Sequence, residues 1–357
     1  MQLKELYDEF LEFLEENYVK ESPNWTGVEE NVRISTLEKS FTYQKTTFLQ
    51  FCIILRDLFY YNKFLFKKDP NTDIWVSKIL LKFLLKKEIA VVKESKVFLK
   101  DFSDVFFPRK TEKEIKKTLK KFLKRKELTF IESLIGREKF EWKRKYDQIP
   151  VSLSSSIFIA SKIFDYFPIK ENLLLIGDDD FTSILLSLLE PEMKITVVDI
   201  DSEVLETIDE IKKEFGLNNI SVEKRDVRYS KIKTKNFFGF LTNPPYTLSG
   251  VKTFFNFGNQ AMKEGVAFLI VGNESIKHRF LLLQKFFSSK NFIIKEITNG
   301  KVSFPFRRIF SEDQLDKKEL EEMGIKIDDY IFASLYVLEK VPWKIKEIKE
   351  RDIYEYL

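Results

Sequence analysis

The sequence predicts an α/β protein: a doubly wound, mostly parallel sheet in the C-terminal half, preceded by a helical domain. Three observations carry this prediction. From about Lys170 onward, short apolar runs alternate with amphipathic ones, as expected of strands buried on both faces and the helices that cover them. Before that point, apolar residues recur at helical spacing, with one pair of strand-like runs. Polar clusters fall just past the first four strand-like runs, where open α/β sheets bind ligands.

The N-terminal elements follow in order. Residues 3–18 place Leu3, Leu6, Tyr7, Phe10, Leu11, Leu14 and Tyr18 at helical spacing. Ser22-Pro23-Asn24 marks a turn, and a second helix is predicted over 44–66. After Asp69-Pro70-Asn71, a third helix runs from Ile74 to Leu85, and 89–99 reads as a two-stranded hairpin. Helices followed by a small hairpin predict a winged-helix-like unit. A basic helix over 111–127 starts at a Thr111 cap with Glu114 three residues on. The predicted division is a helical, winged-helix-like domain over 1–146 and a Rossmann-like catalytic domain over 147–357. In the latter, strands are expected at 173–176, 195–198, 221–223, 237–241, 267–271, 293–298 and 331–339. Helices are expected at 183–189, 203–215, 254–262 and 276–287, and the closing two strands are expected to be antiparallel.

Composition narrows the classes. The chain has 357 residues, enough for two domains. Charged residues make up 32% but nearly balance, at +4. That balance is a solvated surface rather than the basic excess of a nucleic-acid binder. A single histidine, His278, excludes mechanisms and metal sites that need several, and it is read as structural or exposed. A single cysteine, Cys52, excludes an internal disulfide framework and points to the cytoplasm. Abundant Lys and Glu with little Cys and Met fits a thermophile. No apolar run reaches the roughly 20 residues that span a bilayer. The N-terminus reads as an amphipathic helix rather than a signal peptide.

The most informative cluster is Gly177-Asp178-Asp179-Asp180, between the apolar run 173–176 and a helix-like segment. Nucleotide-binding loops use glycines there so that backbone N–H groups approach an anion. Three carboxylates repel an anion and attract a cation. Asp199 and Asp201 follow the second strand, about 20 residues on, where an acid binds ribose hydroxyls. Asp226 follows the third strand and suits an adenine amino group. Asn243-Pro244-Pro245-Tyr246 follows the fourth. Singly, these are a helix cap, a turn, an ion pair with Arg225 or Arg228, and another turn. In this order and spacing they describe a site for an adenosine-containing ligand. Carboxylates also suit Mg²⁺, but no metal is expected.

This arrangement resembles the class I methyltransferase-like fold shared by S-adenosylmethionine enzymes and aminopropyltransferases. Within it, the Gly177–Asp180 loop with Asn243–Tyr246 resembles the branched-chain polyamine synthase family, the N4-bis(aminopropyl)spermidine synthases. The resemblance covers both halves of the chain and is strongest between residues 147 and 250. It implies transfer of aminopropyl groups from decarboxylated S-adenosylmethionine, a co-substrate rather than a resident cofactor, to the internal secondary amine of spermidine. The implied products are N4-aminopropylspermidine, N4-bis(aminopropyl)spermidine and 5′-methylthioadenosine. A homodimer from a thermophile is implied, with no nucleic-acid or membrane partner. Linear aminopropyltransferases, which resemble the chain more loosely, have a Gly-Gly-Gly-Asp-Gly loop whose Asp contacts the aminopropyl amine, and Asp180 falls on that position. Their ribose-binding Glu falls on Asp199 and their adenine-side acid on Asp226. Their Tyr-Gln pair is echoed by Tyr146-Asp147-Gln148. At strand four they carry a catalytic Asp where this chain has Asn243, so their general base does not carry over.

The resemblance therefore implies catalytic roles for Asp179, Asp180, Asn243 and Tyr246. It implies binding roles for Gly177, Asp178, Asp199, Asp201, Asp226, Gln148, Pro244 and Pro245. The chemistry agrees. Ordinary S-adenosylmethionine carries a carboxylate, whereas the decarboxylated form keeps only an ammonium, which a triple-Asp loop favours. A polycationic acceptor is drawn to an acidic cleft. Attack by an amine needs its lone pair, and Asp179 or Asp180 is the expected carboxylate to take the proton or orient the nitrogen. Asn243 would hold the nitrogen by its carbonyl, and Tyr246 by its ring face.

Two other classes compete. Asn-Pro-Pro-Tyr is also the signature of amino-group methyltransferases acting on nucleic acid or protein, and the basic helix would then bind nucleic acid. The missing Gly-x-Gly loop argues against this. A non-enzymatic regulator that senses a metabolite is the third class. Phe304–Arg308 is expected in a loop, as a lid or a packed segment, and Glu274 is a further candidate for the acidic cleft.

Overall fold

The computed structural model describes residues 3–18, 46–61, 74–94, 96–99, 110–122, 143–168, 170–232, 236–305, 318–319, 321–324 and 330–343. The chain forms two compact units, 1–106 with 343–357, and 107–342. No helix among the described residues is long and apolar enough to cross a membrane.

The first unit contains α1 (Leu3–Tyr18), α2 (Phe48–Tyr61), α3 (Ile74–Lys86) and a hairpin of β1 (Ala90–Lys93) and β2 (Lys96–Leu99). The periodicity of α1 buries Leu6, Phe10 and Leu14, one residue per turn on one face. Phe10 meets Phe51 of α2 and Phe83 of α3 at ring distances of 5.4 and 5.6 Å. Cys52 is buried.

The second unit begins with the basic helix, α4 (Glu112–Phe122). Its capping box forms as predicted: Thr111 N–H donates to Glu114 Oε2 at 2.8 Å, and Glu114 N–H donates to Thr111 Oγ1 at 3.3 Å. Ile115 and Leu119 are buried, while Lys113, Lys116 and Lys117 face solvent. This helix lies within the second unit, on the N-terminal side of the boundary expected at 146.

Next come α5 (Leu153–Tyr166), β3 (Asn172–Ile176), α6 (Thr182–Leu189), β4 (Lys194–Asp199), α7 (Ser202–Phe215), β5 (Ile220–Lys224), β6 (Phe237–Thr242), α8 (Leu248–Ala261) and β7 (Met262–Val271). A short helix α9 (Asn273–Ile276), then α10 (Phe280–Ser289), β8 (Phe292–Pro305) and β9 (Tyr330–Lys340) complete the unit. The seven-stranded sheet has the order β5-β4-β3-β6-β7-β9-β8. The first five strands pair in parallel, and β9 is antiparallel to both β7 and β8. The chain reverses its winding between β3 and β6, so a crevice opens beyond their carboxyl ends. Leu174, Ile176, Phe240, Phe255, Leu269 and Leu338 belong to the core on one face of the sheet.

Three expectations shift. β7 starts directly at Met262, without a loop after α8. The single helix expected over 276–287 is broken at Lys277, whose φ of 51° no helix accommodates. β8 runs to Pro305, past two register shifts and the left-handed Gly300, so Phe304 and Pro305 are strand residues. Residues 306–308 of the expected loop lie outside the described residues.

Candidate active site

The loop after β3 is built around backbone geometry. Gly177 has φ +76°, a conformation other residues adopt at a cost, and its N–H donates to Val198 O at 2.9 Å. A Cβ there would meet no atom within 4 Å, so conformation rather than space calls for glycine. The turn ends at Phe181, also left-handed at φ 55° but fully packed.

The three loop carboxylates diverge. Asp178 is 1% exposed and accepts from Ser183 N–H at 3.3 Å in the first turn of α6, a helix-capping contact. Burial, and then the neighbouring Asp180, push its carboxyl well above the usual range. Asp180 is also buried, and it accepts from Thr182 N–H at 3.1 Å and Thr182 Oγ1 at 2.7 Å. Burial raises it too. Asp179 is half-buried and lines a cavity of about 260 Å³ in the crevice.

Asp199, at the end of β4, also lines that cavity. Its two oxygens accept from Asp201 N–H at 2.8 Å and Asp178 N–H at 3.3 Å, which fixes the carboxylate and leaves lone pairs open. Burial holds its carboxyl above the usual range. Asp201 serves another purpose. It caps α7 through Glu203 N–H at 3.2 Å and accepts from Lys143 Nζ at 2.7 Å and Gln148 Nε2 at 3.0 Å. Burial works against its ionisation, but these donors outweigh it and lower its carboxyl. Gln148 Oε1 in turn accepts from Lys143 N–H at 2.8 Å. Asp201 therefore anchors the segment 143–148, which forms one wall of the cavity.

At the β5 end, Asp226 lines the cavity with its carboxylate engaged by Arg228. Arg228 Nη2 donates at 2.6 Å, Nε at 2.9 Å and the backbone N–H at 3.0 Å. Those bonds hold its carboxyl below the usual range. After β6, Asn243 and Pro245 line the cavity, whereas Pro244 is buried. Tyr246 OH donates to Asn243 Oδ1 at 2.9 Å, orienting the amide, and its ring meets Phe304 edge-on at 6.4 Å. Burial, and then the carboxylates Asp147, Asp179 and Asp180, keep its phenol protonated well above the ordinary range.

The crevice thus brings together Gly177, Asp179, Asp199, Asp226, Gln148, Asn243 and Pro245. Asp178, Asp180, Asp201, Pro244 and Tyr246 support that wall without lining it. Sequence reasoning missed the cationic side of the cavity, formed by Arg144, Lys145, Arg225 and Arg228. The expected acidic cleft is therefore mixed in sign. Arg225 and Arg228 are partly neutralised by Glu223 and Asp226, at 2.7 and 2.6 Å. Gly272 was missed as well: a Cβ there would lie 2.7 Å from Tyr246 Cδ2, so the glycine seats the ring. Its only signal was a glycine just past the fifth parallel strand. His278 is exposed, and the side chain of Glu274 lies outside the described residues. Among the described residues, no three His, Cys, Asp or Glu side chains group in a way that holds a metal.

The strand order, with one antiparallel strand between β7 and β8 and the crevice at β3 and β6, defines a class I methyltransferase-like α/β fold. The family model for the branched-chain polyamine synthase A C-terminal domain matches residues 130–329, more than half of the chain. The chain belongs to this family. Among its relatives, an N(4)-bis(aminopropyl)spermidine synthase from Methanocaldococcus jannaschii is 36% identical over 126 residues, 34% of this chain and 35% of that protein. An uncharacterised protein of the same organism is 29% identical over 178 residues, 47% of this chain and 45% of that protein. The chain spans less than half the length of these curated relatives. The branched-chain polyamine synthase of Thermus thermophilus, solved with N4-aminopropylspermidine and 5′-methylthioadenosine, superposes with a TM-score of 0.51 at 15% identity. That match covers 88% of this chain and 93% of that one, and it is a likeness of fold.

Proposed function

We propose that the chain is an aminopropyltransferase that moves aminopropyl groups from decarboxylated S-adenosylmethionine to the internal secondary amine of spermidine. The carrying observation is Asp179, a carboxylate in place of a loop glycine, lining the same cavity as Asp199, Asp226 and Asn243. Membership of the polyamine synthase family and the ligands of the Thermus relative support the reading.

In this reading the nucleoside lies along β4 and β5. Asp199 accepts from the ribose, Ile200 and Val227 flank the base, and Asp226 stands at the adenine end. Asp179 binds the ammonium of the aminopropyl group, with Asp180 adding negative charge from beneath. The sequence expectation gives that contact to Asp180. The cavity wall favours Asp179. A carbonyl oxygen accepts two hydrogen bonds, so Asn243 Oδ1 keeps one lone pair for the acceptor nitrogen while Tyr246 holds the other. Pro245 closes the wall beside it. Most of the acceleration comes from placing nitrogen, carbon and sulfur in line. The reaction needs no metal.

We further propose a cytoplasmic homodimer from a thermophile, with a winged-helix-like first unit. Light scattering on the purified protein tests the dimer.

The functional test is mass spectrometry after incubation with decarboxylated S-adenosylmethionine and a panel of polyamines. Methylthioadenosine and a branched product are expected from spermidine. Linear spermine alone would refute branching, and methylation by ordinary S-adenosylmethionine would favour the amino-group methyltransferase.

A further inference from the structure

The turn carrying Asp147 faces the reaction site in a way the sequence pattern did not single out. Asp147 follows a 3-10 turn (Arg144–Tyr146) with φ 57°, and its N–H donates to Arg144 O at 2.9 Å. The next residue, Gln148, is clamped by Lys143 and Asp201. Further along, Ser152 N–H donates to Ser303 O at 2.7 Å. The backbone is thus held on both sides of Asp147. Its carboxylate lines the cavity and makes no hydrogen bond or ion pair among the described residues. Solvent reaches it through the open cleft, yet the surrounding protein raises its proton affinity.

Its charged surroundings come from its own turn and from the ends of β3, β4, β5 and β6. Arg144 and Lys145 share its turn, with Lys145 Nζ drawn 4.7 Å over the Tyr146 ring. Asp179 lies after β3, and Asp199, tied to backbone amides, after β4. Arg225, Asp226 and Arg228 lie after β5. Tyr246, after β6, feels Asp147 more strongly than it feels Asp179 or Asp180. Asp147 lines the same cavity as Asn243, the amide that Tyr246 orients, and in the reading above the acceptor nitrogen belongs at that amide.

We propose that Asp147 is the catalytic residue that takes the proton from the acceptor nitrogen, an inference that rests on the aminopropyl-transfer reading and deepens it. A secondary ammonium passes one proton to the Asp147 carboxylate. The freed lone pair forms the new C–N bond as the C–S bond breaks, its electrons staying on sulfur to give the neutral thioether. The product nitrogen keeps its remaining hydrogen as a tertiary ammonium, and Asp147 releases its proton to the solvent-filled cleft. For a second transfer, the tertiary ammonium gives up its last proton in the same way.

Asp147→Asn is the deciding variant, because asparagine tolerates left-handed backbone and removes only the basicity. Methylthioadenosine release is measured between pH 7 and 10 alongside donor affinity and melting temperature. At pH 7 the rate is expected to fall about 100-fold, with donor affinity and melting temperature unchanged. The deficit should shrink as pH rises, because the acceptor then arrives deprotonated, and Asp147→Glu should restore part of the rate. A rate close to wild type at pH 7, a deficit independent of pH, a loss confined to the acceptor KM, or a loss of donor binding overturns the proposal. If wild-type protein releases no methylthioadenosine with any polyamine, the functional reading falls and takes this one with it. An active wild type with an unaffected Asp147→Asn removes the Asp147 role alone.

Discussion

Asp178 and Asp147 are two aspartates of one crevice with opposite fates. Asp178 belongs to the conspicuous acidic loop, yet it is buried beneath it and spends its carboxylate on the first turn of α6. Asp147 belongs to an unremarkable turn, yet it presents a carboxylate to the cavity without a partner among the described residues. A helix N-terminus attracts whichever nearby carboxylates can reach its N–H groups. In Gly177–Asp180 it takes Asp178 and Asp180, while Asp179 lines the crevice. Counting charges in a sequence overstates the charge available at a site.

Substitution separates the roles of the loop carboxylates. Asp179→Asn is expected to lower kcat/KM for the donor by about 10²- to 10³-fold, with the melting temperature within a few degrees of wild type. Asp178→Ala is expected to do the reverse, destabilising by about 1 kcal/mol through loss of the cap with a smaller effect on transfer. Calorimetric melts and initial rates on both variants check this, and an exchange of the two phenotypes would reverse the assignment.

A smaller effect lies in the pH dependence of stability. Asp178 binds its proton more tightly when folded than when unfolded. Its contribution is therefore fully present below the ordinary aspartate value of 3.8 and is lost as pH rises toward the higher folded value. Asp178→Asn should flatten that slope in melts taken from pH 4 upward. An equal slope in variant and wild type would assign it elsewhere.

Much of the fold was legible from the sequence. Alternating apolar runs and helices predicted β3, β4, β6 and β7, because these central strands are largely buried on both faces, and the edge strand β5, mostly exposed, was legible from its place in the alternation. The Thr111–Glu114 capping box was legible as a local contact. The break at Lys277 was not, since a single positive φ leaves no periodic trace. The extension of β8 was not, because its register shifts disguise the alternation of the strand. In the site, positions past strand ends were readable from topology alone, as with Asp199 and Asn243. Side-chain direction was not. Asp201 reads as a ribose ligand until Lys143 and Gln148, over 50 residues earlier, claim its carboxylate. The cationic wall from Arg144 to Arg228 was hidden for the same reason.

The central claim is that this loop selects a cationic tail and refuses a carboxylate. Titration calorimetry comparing decarboxylated S-adenosylmethionine with S-adenosylmethionine tests it most directly. The account predicts that the decarboxylated compound binds at least tenfold tighter, a difference of about 1.4 kcal/mol, and that Asp179→Asn narrows the gap. Equal affinities, or a preference for the carboxylated form, would contradict it.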